Sequence, residues 1–251
     1  MLKANAADSF TDCIWGPDFI FLQEDVFMNH NPGLIRTYSG DTLSLAQNAY
    51  LFSLSARGSA VSCIGIRREA CVLSASLLEL VFREVLLPAG GSGFFLTEQK
   101  PPEYLAALCR EMKPGFIGLE DLLADLLFGT IPSPALTRLN HSLGESVCLL
   151  GLTGRRRSKN QLFFPPCRPA VEQLAAQLKH LLLTNALLVP QLWILCYLLD
   201  ATGLWNRFFS RRELTLARRR LPKMEHTLAG RILGTIDRMD SLLTLENFCA
   251  C

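Results

Sequence analysis

Metal-binding spacing is missing from this chain. Its four histidines, His30, His141, His180 and His226, are scattered, and no H-E-x-x-H or comparable pattern links any two. The nine cysteines are odd in number and widely spaced, with no C-x-x-C, which argues against both a disulfide framework and a zinc site. Cys109, Cys148 and Cys196 sit inside apolar helical patterns, where a free thiol acts as a small hydrophobe, and a reducing cytoplasm is the expected compartment. Excess charge of one sign is also lacking. A formal net charge of +2 excludes a uniformly basic nucleic-acid coat and leaves room only for local basic patches. The N-terminus, MLKANAADSF, has no apolar run followed by a cleavage site, so no secretory signal is expected. The most apolar window, Leu181 to Leu199, is interrupted by Thr184, Asn185, Pro190 and Gln191, and reads as two consecutive buried helices rather than a membrane span.

Enzyme signatures are equally thin. Gly151 and Gly154 followed by Ser158-Lys159 fail the phosphate-loop spacing, which needs lysine directly after the second glycine. Gly90-Gly91-Ser92-Gly93 lacks the register of a nucleophile elbow and reads as a flexible linker. Asp121 and Asp125 share a helix face, but Glu120 and Asp121 lie in a first helical turn, where the helix dipole favours negative charge. The expectation is a protein without catalytic residues, metal or cofactor.

What is present describes a folded, mostly α chain. With 251 residues, 49% hydrophobic and 19% charged, one large domain is the prior. Residues 1–40 form an irregular lead containing Trp15, Phe19, Phe21 and Phe27; residues 41–246 are the domain; 247–251 are a tail. Helices are expected from Asp41 or Thr42 to about Arg57 and from about Glu69 to Leu87, the second stopped by Pro88 and Gly90-Gly91. Phe94 to Thr97 is short enough to be only a strand. Further helices follow from Pro101-Pro102 to Met112, Leu119 to Phe128 and Ala135 to Leu150, then over 169–188, 190–202 and, with a break, 212–245. The architecture predicted is a central apolar helix bundle with surrounding amphipathic helices and one or two short β-hairpins.

The segment GLTGRRRSKNQLFFPP, from Gly151 to Pro166, carries the functional signal. Arg155, Arg156, Arg157 and Lys159 precede Leu162, Phe163 and Phe164, a pattern suited to a surface where negative charge borders hydrocarbon. Four cations near an anionic leaflet supply about 4 kcal/mol, and each inserted apolar side chain about 1.5–3 kcal/mol before ordering costs. The net suits reversible docking, and a second element is needed for stable residence. Arg207, Arg211, Arg212, Arg218, Arg219 and Arg220 are candidates for it. The competing reading buries Leu162 to Phe164 as a strand against the helices, with Arg155 to Lys159 as a solvated turn. Cys249-Ala250-Cys251 resembles the double-cysteine ending prenylated in some vesicle-traffic GTPases, although a frayed tail needs no function.

Several of these stretches, taken in order over roughly residues 42–240, resemble the Golgi phosphoprotein 3 family. Leu43-x-Leu45 through Tyr50-Leu51-Phe52 to Gly58 is similar to its opening helix, and Leu77-Leu78-Glu79-Leu80-Val81-Phe82-Arg83 to its signature L-I-E-L-x-L-R. Ser158 to Phe164 resembles its hairpin, while Leu195 to Ala201 and Leu216 to Leu221 fall at about the family's spacing. The resemblance implies a helical, non-catalytic peripheral adaptor that binds phosphatidylinositol 4-phosphate on the cytosolic face of Golgi membranes and holds the tails of membrane proteins. The family's Trp and Arg pocket residues are not matched: Ile64, Leu73, Thr137 and Asn140 fall at those positions, and Arg67, Arg68 and Arg138 lie close enough to rebuild a head-group site. The missing arginine-rich leader points to a bacterial or divergent member. Two alternatives remain open: a soluble homo-oligomeric scaffold paired through the 151–166 hairpin, and a nucleic-acid-binding module using the basic 207–220 helix, the weaker of the two at near-neutral charge.

Overall fold

Ser44 starts the first helix. In the computed structural model, which describes residues 42–55, 67–89, 93–128, 133–158, 161–184, 189–221 and 223–249, its hydroxyl accepts from Gln47 N and the Gln47 side chain accepts from Ser44 N. This reciprocal cap fixes α1 at Leu45–Ser53, later than Asp41 or Thr42 and shorter than expected. All nine residues of α1 are buried, so it is the axis of the core rather than an amphipathic surface helix. α2 (Arg67–Phe82) packs along it, and α7 (Pro190–Ala201) completes the apolar centre. The aromatic lead 1–40 and residues 250–251 of the expected tail lie outside the described residues; α9 (Leu228–Cys249) continues through 247–249.

A buried carboxylate ties α2 to α1 and to Tyr104. Glu79 is 4% exposed and accepts from Ala46 N at 3.0 Å, Arg83 Nε at 3.0 Å and Tyr104 Oη at 2.5 Å. Three donors offset the desolvation that would otherwise exclude a charge there. Burial, together with the neighbouring Glu79 charge, pushes the Tyr104 phenol well up, so it stays a donor.

α2 ends at Phe82, short of the expected Leu87. Val85 N bonds to Leu80 O and Glu84 N to Val81 O, with Glu84 at φ 57°, a left-handed cap usually made by glycine. The chain then enters a three-stranded antiparallel sheet, β1 (Leu86–Ala89), β2 (Gly93–Leu96) and β3 (Phe116–Gly118), in that order. Ala89 pairs with Gly93, so β1 and β2 are antiparallel neighbours, and residues 90–92 of the expected linker lie outside the described residues. Leu86 and Phe94 point into the core, and the opposite face carries an exposed row, Leu87, Phe95 and Phe116, aligned across all three strands. The expected 101–112 helix is a 3-10 turn, Glu103–Leu105, followed by α3 (Ala106–Cys109). α4 (Leu119–Leu123) runs on as a π-helical turn, Ala124–Phe128.

The second half is α5 (Pro134–Leu149), a hairpin of β4 (Arg156–Ser158) and β5 (Gln161–Phe163), α6 (Arg168–Leu183), α7, α8 (Arg211–Arg220) and α9. Two helices, α6 and α7, replace any span across 181–199, and no helix among the described residues is long and apolar enough to cross a membrane. The molecule is a mostly helical domain with a central apolar bundle and short antiparallel hairpins.

Candidate functional site

The basic hairpin folds back along the helix that leads into it. Gly151 takes φ 70°, Gly151 N bonds to Cys148 O and Leu152 N to Val147 O, which ends α5 and reverses the chain. From that turn, Thr153 pairs with Pro166, Arg155 is ion-paired to Glu145, and Phe164 rests on Gly144 and, edge-on at 5.8 Å between centroids, on His141. The partners therefore step backward along α5, from residue 147 to 145 to 144 and 141.

Phe164 corrects the sequence expectation. It is 3% exposed, and a Cβ at Gly144 would come within 2.2 Å of its ring, so the ring fills a notch that only glycine leaves open. It belongs to the core and is unavailable to a membrane. The register Arg156 opposite Phe163 and Arg157 opposite Leu162 splits the remaining residues between the two sides of the hairpin. Leu162 lies on the side of Phe164, and Phe163 on the other; both are half-buried. Arg156 and Arg157 are exposed and make no ion pair among the described residues. Arg155 is exposed but compensated by Glu145, and Lys159 lies outside the described residues.

The expected head-group residues do not form one cluster. Arg67 opens α2, with its side chain outside the described residues. Arg68 is 6% exposed: Nη1 reaches Glu69 Oε1 at 3.2 Å, Nη2 reaches Asn140 Oδ1 at 3.3 Å, and the guanidinium lies 5.8 Å from the centroid of the Tyr50 ring. Its Nε is buried with no hydrogen-bond partner among the described residues. Arg138, two residues before Asn140 and so about 200° around α5, is turned away to an ion pair with Glu111. Asn140, one of the unmatched family positions, is thus the α5 residue that meets Arg68. Leu73, another of those positions, is fully buried in the core, and Ile64 lies outside the described residues.

The arginines of 207–220 are sorted by what they touch. Arg207 donates to the carbonyls of Phe52 at 3.0 Å and Leu54 at 2.9 Å, closing the C-terminal end of α1. Arg218 grips Asp200 with bonds of 2.8–3.1 Å, and Arg220 donates to the carbonyls of Leu181, Leu182 and Thr184 at the end of α6. Three of the six cations offered as a second element for membrane residence are therefore engaged with the fold itself. Among the described residues, no group of three or more His, Cys, Asp or Glu is placed to hold a metal ion. The Cys71 thiol, fully buried, is pushed up to about 12 by desolvation, which suits packing rather than nucleophilic chemistry. No protein-family model, curated protein or solved structure matches this chain, so the reading of its function rests on the site itself.

Proposed function

We propose that this chain is a peripheral adaptor that docks on an anionic membrane surface and catalyses no reaction. The observation that carries the proposal is the pair Arg156 and Arg157, exposed and without an ion pair among the described residues, on a hairpin that Phe164 pins to α5. Two such cations contribute about 2 kcal/mol near an anionic leaflet, half the sequence expectation, and only Leu162 and Phe163 remain as apolar contacts. Docking through the hairpin alone is correspondingly weak.

Arg68 supports the same reading. Leaving a guanidinium N–H buried and unpaired costs about 1–3 kcal/mol, and an anionic group reaching the start of α2 would remove that cost. The collinear likeness to the Golgi phosphoprotein 3 family agrees with a lipid head group as that anion. By the same likeness, the protein partners are the cytoplasmic tails of membrane proteins, and the place of action is the cytosolic face of a membrane.

Vesicle flotation tests the proposal. Wild type recovered on phosphatidylserine-containing vesicles should lose about tenfold or more in affinity as Arg156→Glu/Arg157→Glu, since reversing two cations removes at least 2 kcal/mol. Equal recovery of both proteins would remove the hairpin from the interface.

A further inference from the structure

Once Arg207, Arg218 and Arg220 are assigned to the fold, a distinct face of α8 remains. Arg211, Arg212 and Arg219 are exposed, and their guanidinium groups make no hydrogen bond or ion pair among the described residues. The one acid of α8, Glu213, is already engaged by Ser210 N at 2.7 Å and Lys179 Nζ at 3.2 Å, while Asp200 is held by Arg218. Among the described residues, the outer face therefore carries three arginines with no ion-pair partner.

Leucine is interleaved with that charge. Leu214 and Ala217 turn inward and are buried, but Leu216 is 45% exposed, one turn from Arg212 on one side and from Arg219 on the other. Leu183, 39% exposed, sits at the end of α6 that Arg220 caps. Phosphates of a nucleic acid would use the arginines and leave the leucines in water. A bilayer surface uses both, with guanidinium groups at the lipid phosphates and short apolar side chains at the acyl boundary.

We propose that the outer face of α8, formed by Arg211, Arg212, Leu216 and Arg219 with Leu183 on the adjoining end of α6, docks on a bilayer surface containing anionic lipid. This is a second contact in addition to the hairpin; it rests on the membrane reading for the nature of the surface but on no residue of the hairpin. It supplies the extra cations that two hairpin arginines lack.

Flotation of the full chain on phosphatidylcholine vesicles with about 30% phosphatidylserine, and on phosphatidylcholine alone, separates the two contacts. Arg212→Glu/Arg219→Glu should lower affinity for the anionic vesicles about tenfold or more, and Leu216→Ser by about fivefold, with unchanged thermal melts because all three residues are exposed. If these variants bind like wild type while Arg156→Glu/Arg157→Glu does not, the α8 contact is overturned and the hairpin reading stands. Loss with the α8 variants alone supports this inference and removes the hairpin. A wild type that floats with neither vesicle overturns both. Retention on duplex DNA that Arg212→Glu/Arg219→Glu abolishes, without vesicle recovery, overturns the lipid assignment in favour of nucleic acid.

Discussion

Glu84 shows how one residue decides where an element stops. It occupies the left-handed position that closes α2, where a side chain crowds the backbone and glycine does not, so Glu84→Gly should stabilise the protein by about 1 kcal/mol. A rise of about 2–4 °C in Tm would register it, and a fall would show that the Glu84 side chain makes a compensating contact. The same residue explains why the sequence reading overran the helix by five positions, to Leu87. The usual stop signal, a glycine at that point, is absent, and the visible signals, Pro88 and Gly90, lie beyond the turn. Ser44 was hidden for a related reason, because Asp41 and Thr42 offer equally good capping chemistry and only the reciprocal bond with Gln47 distinguishes them.

Hairpin and helix form a single element in practice, joined where Phe164 enters the notch at Gly144. Alanine normally favours a helix over glycine by about 1 kcal/mol, yet Gly144→Ala should destabilise by about 1–3 kcal/mol, because its methyl group meets the ring. In a Phe164→Ala background the same change should become neutral or stabilising, and a double-mutant cycle by urea denaturation would expose the coupling; additive effects would refute the contact. The basic hairpin itself was legible as a pattern, since charge followed by bulky apolar residues and two prolines stands out in any window. Which phenylalanine turns inward was not, because that depends on a glycine twenty residues upstream on a helix whose position relative to the strand no local pattern encodes. The arginine-rich stretch was likewise visible as composition, but its division into caps, ion pairs and free cations depends on where α1, α6 and Asp200 lie in space.

Across the whole molecule, the reading from composition and periodicity carried furthest: a mostly helical domain around an apolar centre, with the 181–199 region divided into two helices. The exposed Leu87, Phe95 and Phe116 row escaped it, because strands of three or four residues are too short for a two-residue alternation to show in a sequence window, and the row exists only once the three strands pair. Core burial also gives the domain a pH signature. Tyr50 and Cys71 are both pushed up to about 12 by desolvation, from ordinary values of 10.0 and 9.0. Groups whose pKa is raised on folding contribute stability that is complete below their unfolded values and is lost as pH rises toward the folded ones. The urea midpoint should hold up to about pH 9 and fall steadily toward 12; a flat profile would mean these side chains gain no protection in the folded state. Arg207 and Arg220 add one more property at this scale. Each reaches back more than thirty residues to seal the carbonyl end of an earlier helix, so the stretch from residue 207 onward acts as a clasp on helices that precede it, and a fragment cut ahead of residue 207 would leave α1 and α6 with open carbonyl ends that only water could close.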